Sequence, residues 1–160
     1  MPMRAITVPL LVCMMWFAVT VRAAAPSNDI AVLVNPDNSI SNITSADLRK
    51  VFSGQKRSWP GGARIRLIVR PVGSHERDVL LHLLRMSESE YKQYWTAQVY
   101  RGEADSEPLV LPSFGMVLEA TRAFPGAIAF VEARDIKAGM YLKVIKVDGL
   151  MPGDSGYPLH

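Results

Sequence analysis

Apolar and polar residues along this chain follow two different periods, and the change of period marks the predicted strands and helices. Residues 30–34 are a continuous apolar run that stops at Asn35 and Pro36, which predicts a buried strand followed by a turn. In residues 64–69 apolar side chains alternate with basic ones, which predicts a strand covered on one face. Shorter apolar runs predict three further strands, at residues 110–111, 127–131 and 142–147.

Helix signals fill the intervals between these strands. Thr44 or Ser45 caps a short helix that ends at Phe52, and Ser74 begins a helix that runs to about Met86. Residues 87–90 form a capping box that begins a second helix at once, and Ser113 caps a helix through Ala123. Two helices follow each other with no strand between them, so strands and helices do not simply alternate. The whole set of elements predicts a three-layer αβα domain around a mixed sheet of about four or five strands.

Residues 1–24 have the layout of a secretory signal peptide. Arg4 is followed by an apolar run from Ile6 to Val21 and then by small residues, so cleavage is expected after Ala23 or Ala24. The alternative is an uncleaved membrane anchor, although the apolar run is shorter than the ~20 residues that span a bilayer comfortably. The predicted localisation of the mature protein is therefore periplasmic or secreted.

Removal of this peptide changes the chemistry expected of the rest of the chain. It takes away two of the 18 basic residues and none of the 15 acidic ones, so the mature chain is nearly neutral and nothing indicates a nucleic-acid partner. It also takes away Cys13, the only cysteine, so neither disulfides nor thiol chemistry are expected. Residues 28–148 suffice for one domain, and the Pro- and Gly-rich residues 149–160 are expected to form a flexible C-terminal tail.

Candidate binding chemistry gathers where the strand at residues 64–69 ends and the next helix begins. Arg70 follows the strand, and Ser74 caps the helix. The free N–H groups and the dipole of a helix N-terminus attract anions, so this point is half of an anion site. The alternative is an ordinary strand end and helix cap. Glu76 complicates the first interpretation, because a salt bridge from Arg70 to Glu76 would close the site.

Seven short segments, taken in order along residues 30–148, together carry a resemblance to a known family. The segments are residues 31–36, residues 48–54, Trp59, Arg70 with Gly73 and Ser74, Tyr94 with Trp95, residues 113–118 and residues 125–128. They resemble the periplasmic phosphate-binding proteins of ABC transporters, within the type II periplasmic-binding-protein superfamily. The resemblance implies one lobe of a two-lobed protein that closes on its ligand, and a role in binding for transport and not in catalysis.

The resemblance implies an anion-binding loop at Arg70, Gly73, Ser74 and His75. The family's loop continues with glycine and threonine after the serine, whereas this chain has His75 and Glu76, so Glu76 is expected to modulate the loop. Two functions stay open: capture of phosphate or another small anion at this helix N-terminus, or a protein-interaction or sensor accessory module with a degenerate ligand loop. The second would pair with a periplasmic protein or with a second copy of the chain. Contact with a membrane is expected only through a transporter or sensor, and no cofactor or metal is expected.

Two other groupings of residues invite a function. His75, Asp78 and His82 lie at helical spacings that suit metal ligands, but no fourth ligand is visible, so a solvated polar face is the preferred interpretation. Ser74 beside His75 suggests a hydrolase, yet sequence neighbours rarely face each other and no nucleophile elbow is present. No catalytic residue is therefore expected.

A basic and aromatic patch is predicted near the second strand. Its cations either dock an acidic partner or a membrane surface, or form a solvated rim, and the second interpretation is preferred. The patch consists of Lys50, Lys56, Arg57, Trp59, Arg64 and Arg66.

Overall fold

The structure is a computed structural model that describes residues 28–160, so the predicted signal peptide lies outside the described residues. Within this part of the chain no helix is long and apolar enough to cross a bilayer. The strands are β1 (Ile30–Val34), β2 (Asn42–Ile43), β3 (Arg66–Val69), β4 (Leu109–Val110), β5 (Ala127–Glu132) and β6 (Lys143–Val147). The α-helices are α1 (Ser45–Phe52), α2 (His75–Leu84), α3 (Glu88–Tyr100) and α4 (Phe114–Ala123).

The strands form one mixed sheet in the order β2-β6-β1-β5-β3-β4. β1 runs antiparallel to both of its neighbours, β5 and β6, whereas β3 runs parallel to β5 and β4. The sheet thus has one strand more than the upper end of the prediction. The extra strand, β2, has two residues and pairs in parallel with β6, and a segment this short carries no readable period.

β1 is apolar at every position, and its side chains alternate between the two faces of the sheet. Both faces therefore need an apolar cover, and helices supply it on each side. Ile30, Val32 and Val34 join the core beneath α1, α2 and α3. Ala31 and Leu33 join the smaller core beneath α4. The predicted three-layer αβα arrangement is confirmed.

The helices begin where local capping chemistry predicted. Thr44, Ser74 and Ser113 each accept a hydrogen bond from a first-turn N–H of α1, α2 and α4. Ser87 and Glu90 form the full capping box at the start of α3. These contacts satisfy helix donors that would otherwise lack a partner, which is why the boundaries could be predicted from short stretches of sequence.

The C-terminal residues 149–160 do not form the detached tail expected from their composition. Tyr157 and Leu159 are 3% and 2% exposed and belong to the larger core. The Tyr157 hydroxyl donates to the Ile30 carbonyl oxygen at 2.8 Å, and the Ile30 N–H donates to the Leu159 carbonyl oxygen at 2.8 Å. Glycine and proline here shape turns that lead the chain back to β1, so the domain extends beyond residue 148.

Candidate functional site

The candidate anion loop connects the carboxyl end of β3 to the N-terminus of α2. Gly73 has a φ of +84°, a left-handed conformation that favours glycine and that turns the chain into the helix. The Ser74 hydroxyl accepts from the Arg77 N–H at 3.3 Å and donates to the Pro71 carbonyl oxygen at 2.8 Å. The predicted cap at Ser74 is therefore present, and the serine hydroxyl is engaged in it.

Arg70 is engaged inside the molecule. Its Nε donates to Oε1 of Glu76 at 3.1 Å, and its Nη1 donates to the Leu111 carbonyl oxygen at 3.0 Å. The side chains of Arg70 and Glu76 are 15% and 8% exposed, so solvent screens this ion pair little. The salt bridge that would close the site is thus present, and Glu76 holds the position at the helix N-terminus where an external anion would be attracted.

His75 contacts a residue that the sequence did not single out. Its Nδ1 lies 3.1 Å from Oε1 of Glu132, which also accepts from Nη2 of Arg134 at 3.2 Å. Glu132 is 6% exposed, and its Oε2 is buried without a hydrogen-bond partner among the described residues. The sequence carries only part of the signal, the position of Glu132 at the end of the apolar run of β5, whereas the structure shows that parallel strands β3 and β5 end at the same edge of the sheet.

The structure gives no support to metal or hydrolase chemistry at α2. His75 is directed to Glu132, while Asp78 and His82 are exposed on the helix. Residues 28–160 contain no group of three or more His, Cys, Asp or Glu side chains placed to hold a metal ion. The Ser74 hydroxyl has its recorded hydrogen bonds with backbone groups and not with a histidine.

A second ion pair joins α2 to α3. Arg77 donates to both carboxylate oxygens of Glu88, at 2.6 and 3.0 Å, and its guanidinium lies 3.9 Å from the ring centroid of Tyr91. The hydrogen bond from Arg77 holds the pKa of Glu88 below its usual range. Burial raises the pKa of Tyr91 to about 12, against the smaller opposing effect of Arg77. Tyr91 thus helps to pack α2 and α3 together.

These contacts define what the loop can do chemically. The charges of Arg70 and Arg134 lie beside the carboxylates of Glu76 and Glu132, so the loop has little net attraction for an anion. Ser74 already holds the N–H of Arg77, so of the first-turn N–H groups of α2 only those that precede Arg77 remain as donors for a ligand. An external anion therefore competes with Glu76 for Arg70.

The predicted basic patch is only partly assembled. Trp59 is 3% exposed, and its Nε1 donates to the Gly126 carbonyl oxygen at 3.1 Å, so it supports the fold and presents no surface. Lys50 lies 3.4 Å from Asp47 on α1. The other cations of the patch line one open cleft of about 540 Å³ at the amino end of β3, together with Trp95 and Phe124; they are Lys56, Arg57, Arg64 and Arg66.

Comparison with solved structures supports the fold. A putative phosphate ABC transporter substrate-binding protein with bound phosphate from Clostridium perfringens matches 76% of this chain and 46% of its own, at 18% identity and a TM-score of 0.59. An ABC-type phosphate transport receptor from Vibrio cholerae matches 78% of this chain and 48% of its own, at 20% identity and 0.61. The phosphate binding protein from Stenotrophomonas maltophilia matches 78% and 40%, at 16% identity and 0.57.

The chain has the fold of the periplasmic phosphate-binding proteins. It spans about half the length of these structures, which fits the single lobe implied by the family resemblance. No family model and no curated protein matches the sequence. At these low identities the similarity shows the fold alone, so the function of the ligand loop has to be inferred from the contacts of its own residues.

Proposed function

We propose that this chain is an exported, non-enzymatic binding lobe that takes a small oxyanion, phosphate or a similar group, at the N-terminus of α2. The observation that carries the proposal is that Arg70 and the first turn of α2 lie together at the carboxyl end of β3 in this fold. Open α/β sheets bind their ligands at that edge. The neighbours named as phosphate-binding proteins make an oxyanion the first ligand to test.

Glu76 sets the strength of this binding. Its side chain is 8% exposed and its carboxylate accepts from Arg70, so it competes as an anion that is tethered to the helix itself. An incoming dianion would have to separate this pair and accept a negative charge nearby, and like charges brought together cost several kcal/mol. The native protein is therefore expected to bind weakly and a variant without this carboxylate more tightly.

A second candidate function is a protein-interaction or sensor accessory module with a degenerate ligand loop. The same ion pair favours it, because Arg70, Ser74 and His75 all have partners within the domain. The partner would be a periplasmic protein or a second copy of the chain. In this case Arg70 and Glu76 are structural, and anions leave the protein unchanged.

Isothermal titration of the phosphate-free mature protein with phosphate, sulfate and a dicarboxylate separates these functions. Native binding that is lost in Arg70→Ala supports the proposal, and Glu76→Thr should then bind at least about ten-fold more tightly. Glu119→Gln removes an exposed carboxylate on α4 and should leave affinity unchanged. Absence of heat from both the native protein and Glu76→Thr would reject the anion site and favour the interaction module.

Export has its own test. Expression of the full chain, with N-terminal sequencing of the protein recovered outside the cytoplasm, should show a new N-terminus after Ala23 or Ala24. A chain that keeps residues 1–24 and sediments with membranes would instead indicate an anchor.

A further inference from the structure

The cleft at the amino end of β3 is separate from the loop at α2. Its lining includes residues 63–67, residues 103–109, Phe124 and Gly126. β3 has four residues, and at roughly 3.3 Å per residue its length keeps the two sites about 13 Å apart. A ligand in the cleft therefore does not contact Arg70.

Three of the cleft's four cations have no carboxylate within 4.0 Å among residues 28–160: Lys56, Arg57 and Arg66. The fourth, Arg64, lies 2.5 Å from Asp105. The two remaining acidic residues of the cleft also have internal partners. Glu103 is paired with Arg101, and Glu107 accepts from the Thr96 hydroxyl at 3.3 Å. The Thr96 hydroxyl leaves the charge of Glu107 in place. The lining nevertheless has four cations against three carboxylates, one of which is paired with Arg101, so the net charge of the cleft is positive.

Apolar groups lie beside these cations. The guanidinium of Arg66 stacks on Phe124 with its central carbon 4.5 Å from the ring centroid. Stacking holds the guanidinium by its face and leaves its N–H edge free to donate. Leu67 and Trp95 also line the cleft, and Trp95 is only 4% exposed. Apolar side chains next to cations without a carboxylate partner suit a molecule that has an apolar body and a negatively charged group.

We propose that this cleft binds a small organic anion whose apolar body lies against Leu67 and Phe124 and whose acidic group contacts Arg66 and Lys56. The volume of about 540 Å³ falls within the roughly 300–1,000 Å³ of small-molecule sites. A bare inorganic anion would leave most of this space unfilled, and an uncharged apolar molecule would leave the cations without a partner.

The probe for this proposal is anilinonaphthalene sulfonate, an aromatic anion, with uncharged phenylnaphthylamine as its matched neutral counterpart. We expect saturable one-to-one binding of the anion to the mature protein and much weaker binding of the neutral probe. In the unmodified protein, labelled with nitrogen-15, the indole N–H resonance of Trp95, which borders the cleft, should shift on titration, whereas that of Trp59, which does not border it, should move less. Inorganic phosphate in excess should not displace the probe.

Single variants test the assigned contacts. Arg66→Gln and Lys56→Gln should each weaken binding of the anionic probe about five-fold, as expected for loss of one charged contact at an open site. Lys146→Gln removes an exposed cation on β6, outside the cleft, and Arg70→Ala alters the α2 loop; both should bind the probe like the native protein. Circular dichroism checks that each variant is folded.

Three results would overturn the proposal. Equal loss of binding in Lys146→Gln would show non-specific attraction to positive charge. Equal affinity for the two probes would show that the cations take no part. Failure of the aromatic anion to bind, with a short polyglutamate peptide binding in an Arg66-dependent manner, would assign the cleft to an acidic peptide instead.

Discussion

The two ends of β3 carry arginines in opposite states. At the carboxyl end Arg70 is 15% exposed and bonded to Glu76 and to the Leu111 carbonyl oxygen. At the amino end Arg66 is exposed, rests on Phe124 and lies next to an open cleft. One strand thus presents an arginine whose donors are partly used and another whose donors are free.

Availability, and not residue type, therefore determines which arginine can meet a ligand. A ligand at Arg70 must replace contacts that are already present, whereas a ligand at Arg66 adds contacts to a group held only by ring stacking. The carboxyl end has the position of a ligand site in this fold, and the amino end has the unoccupied space. The following predictions test each half of that contrast.

The largest loss of stability should come from Gly126→Ala, which disrupts the packing at the amino end of β3. A Cβ at this position would lie 1.7 Å from the backbone oxygen of Arg64, so β5 and the strand beside it would have to separate. Two hydrogen bonds to the Gly126 carbonyl oxygen, from the Arg66 N–H and the Trp59 indole, would be strained as well. We expect a loss of about 3 kcal/mol or more in the free energy of unfolding, measured by urea denaturation.

Gly61→Ala is the matched control for this substitution. A Cβ at Gly61 would meet no atom within 4 Å, and the residue is exposed in the loop before β3. Its unfolding free energy should stay within about 0.5 kcal/mol of the native value. If Gly126→Ala lowered the unfolding free energy as little as Gly61→Ala, the close approach of Gly126 to the backbone of Arg64 would be contradicted.

Much of the fold could be predicted because its signals are local. The cap at Ser74 and the capping box at Ser87 and Glu90 depend on residues three positions apart, and both are present as predicted. The apolar run of β1 predicts burial on both faces in the same way. By contrast, the burial of Tyr157 depends on its contact with Ile30, 127 positions away, and composition suggested a mobile tail.

The candidate sites were less predictable for the same reason. Pairing of Arg70 with Glu76 was foreseen, since both residues belong to one strand–helix connection. The contact of His75 with Glu132 requires β5 to lie beside β3, which a single sequence does not specify. Trp59 was assigned to a surface patch, but the close approach of Gly126 buries it.

The second prediction compares the ion pairs at the two ends. Glu76→Ala leaves Arg70 mostly buried without its carboxylate, so we expect a loss of about 2 kcal/mol in unfolding free energy. Asp105→Asn removes the partner of Arg64, but these side chains are 71% and 67% exposed, and the loss should be below about 0.5 kcal/mol. Urea denaturation at two salt concentrations measures the loss in each variant. Equal losses would contradict the contrast between the buried ion pair at the carboxyl end of β3 and the exposed one at its amino end.

The third prediction concerns the C-terminal segment that packs next to the carboxyl end. Tyr157→Phe removes a buried hydroxyl that donates to the Ile30 carbonyl oxygen, in register with Glu132. We expect a loss of about 1 kcal/mol in unfolding free energy. Tyr141→Phe changes a residue that is 66% exposed and should have no measurable effect. Equal stability of the two variants would mean that residues 149–160 do not hold β1 as described.

The smallest effect should be the pH dependence of the stabilisation by the Arg77–Glu88 ion pair. Arg77 lies on α2, like Glu76, and is also paired within the domain. Because the hydrogen bond from Arg77 lowers the pKa of Glu88, the folded state binds this proton less readily than the unfolded chain. Its stabilisation is therefore fully present above the usual glutamate value of 4.5 and is lost as the pH falls below it.

Glu88→Gln tests this dependence. At pH 7 the variant should be less stable by under about 1 kcal/mol, because the Glu88 side chain is 36% exposed and water screens the pair. The difference from the native protein should shrink between about pH 5 and pH 3. Asp47 and Glu90 also have lowered pKa values, but they titrate alike in both proteins and cancel in the difference. A difference that stays constant with pH would assign the contribution of Glu88 to packing and not to charge.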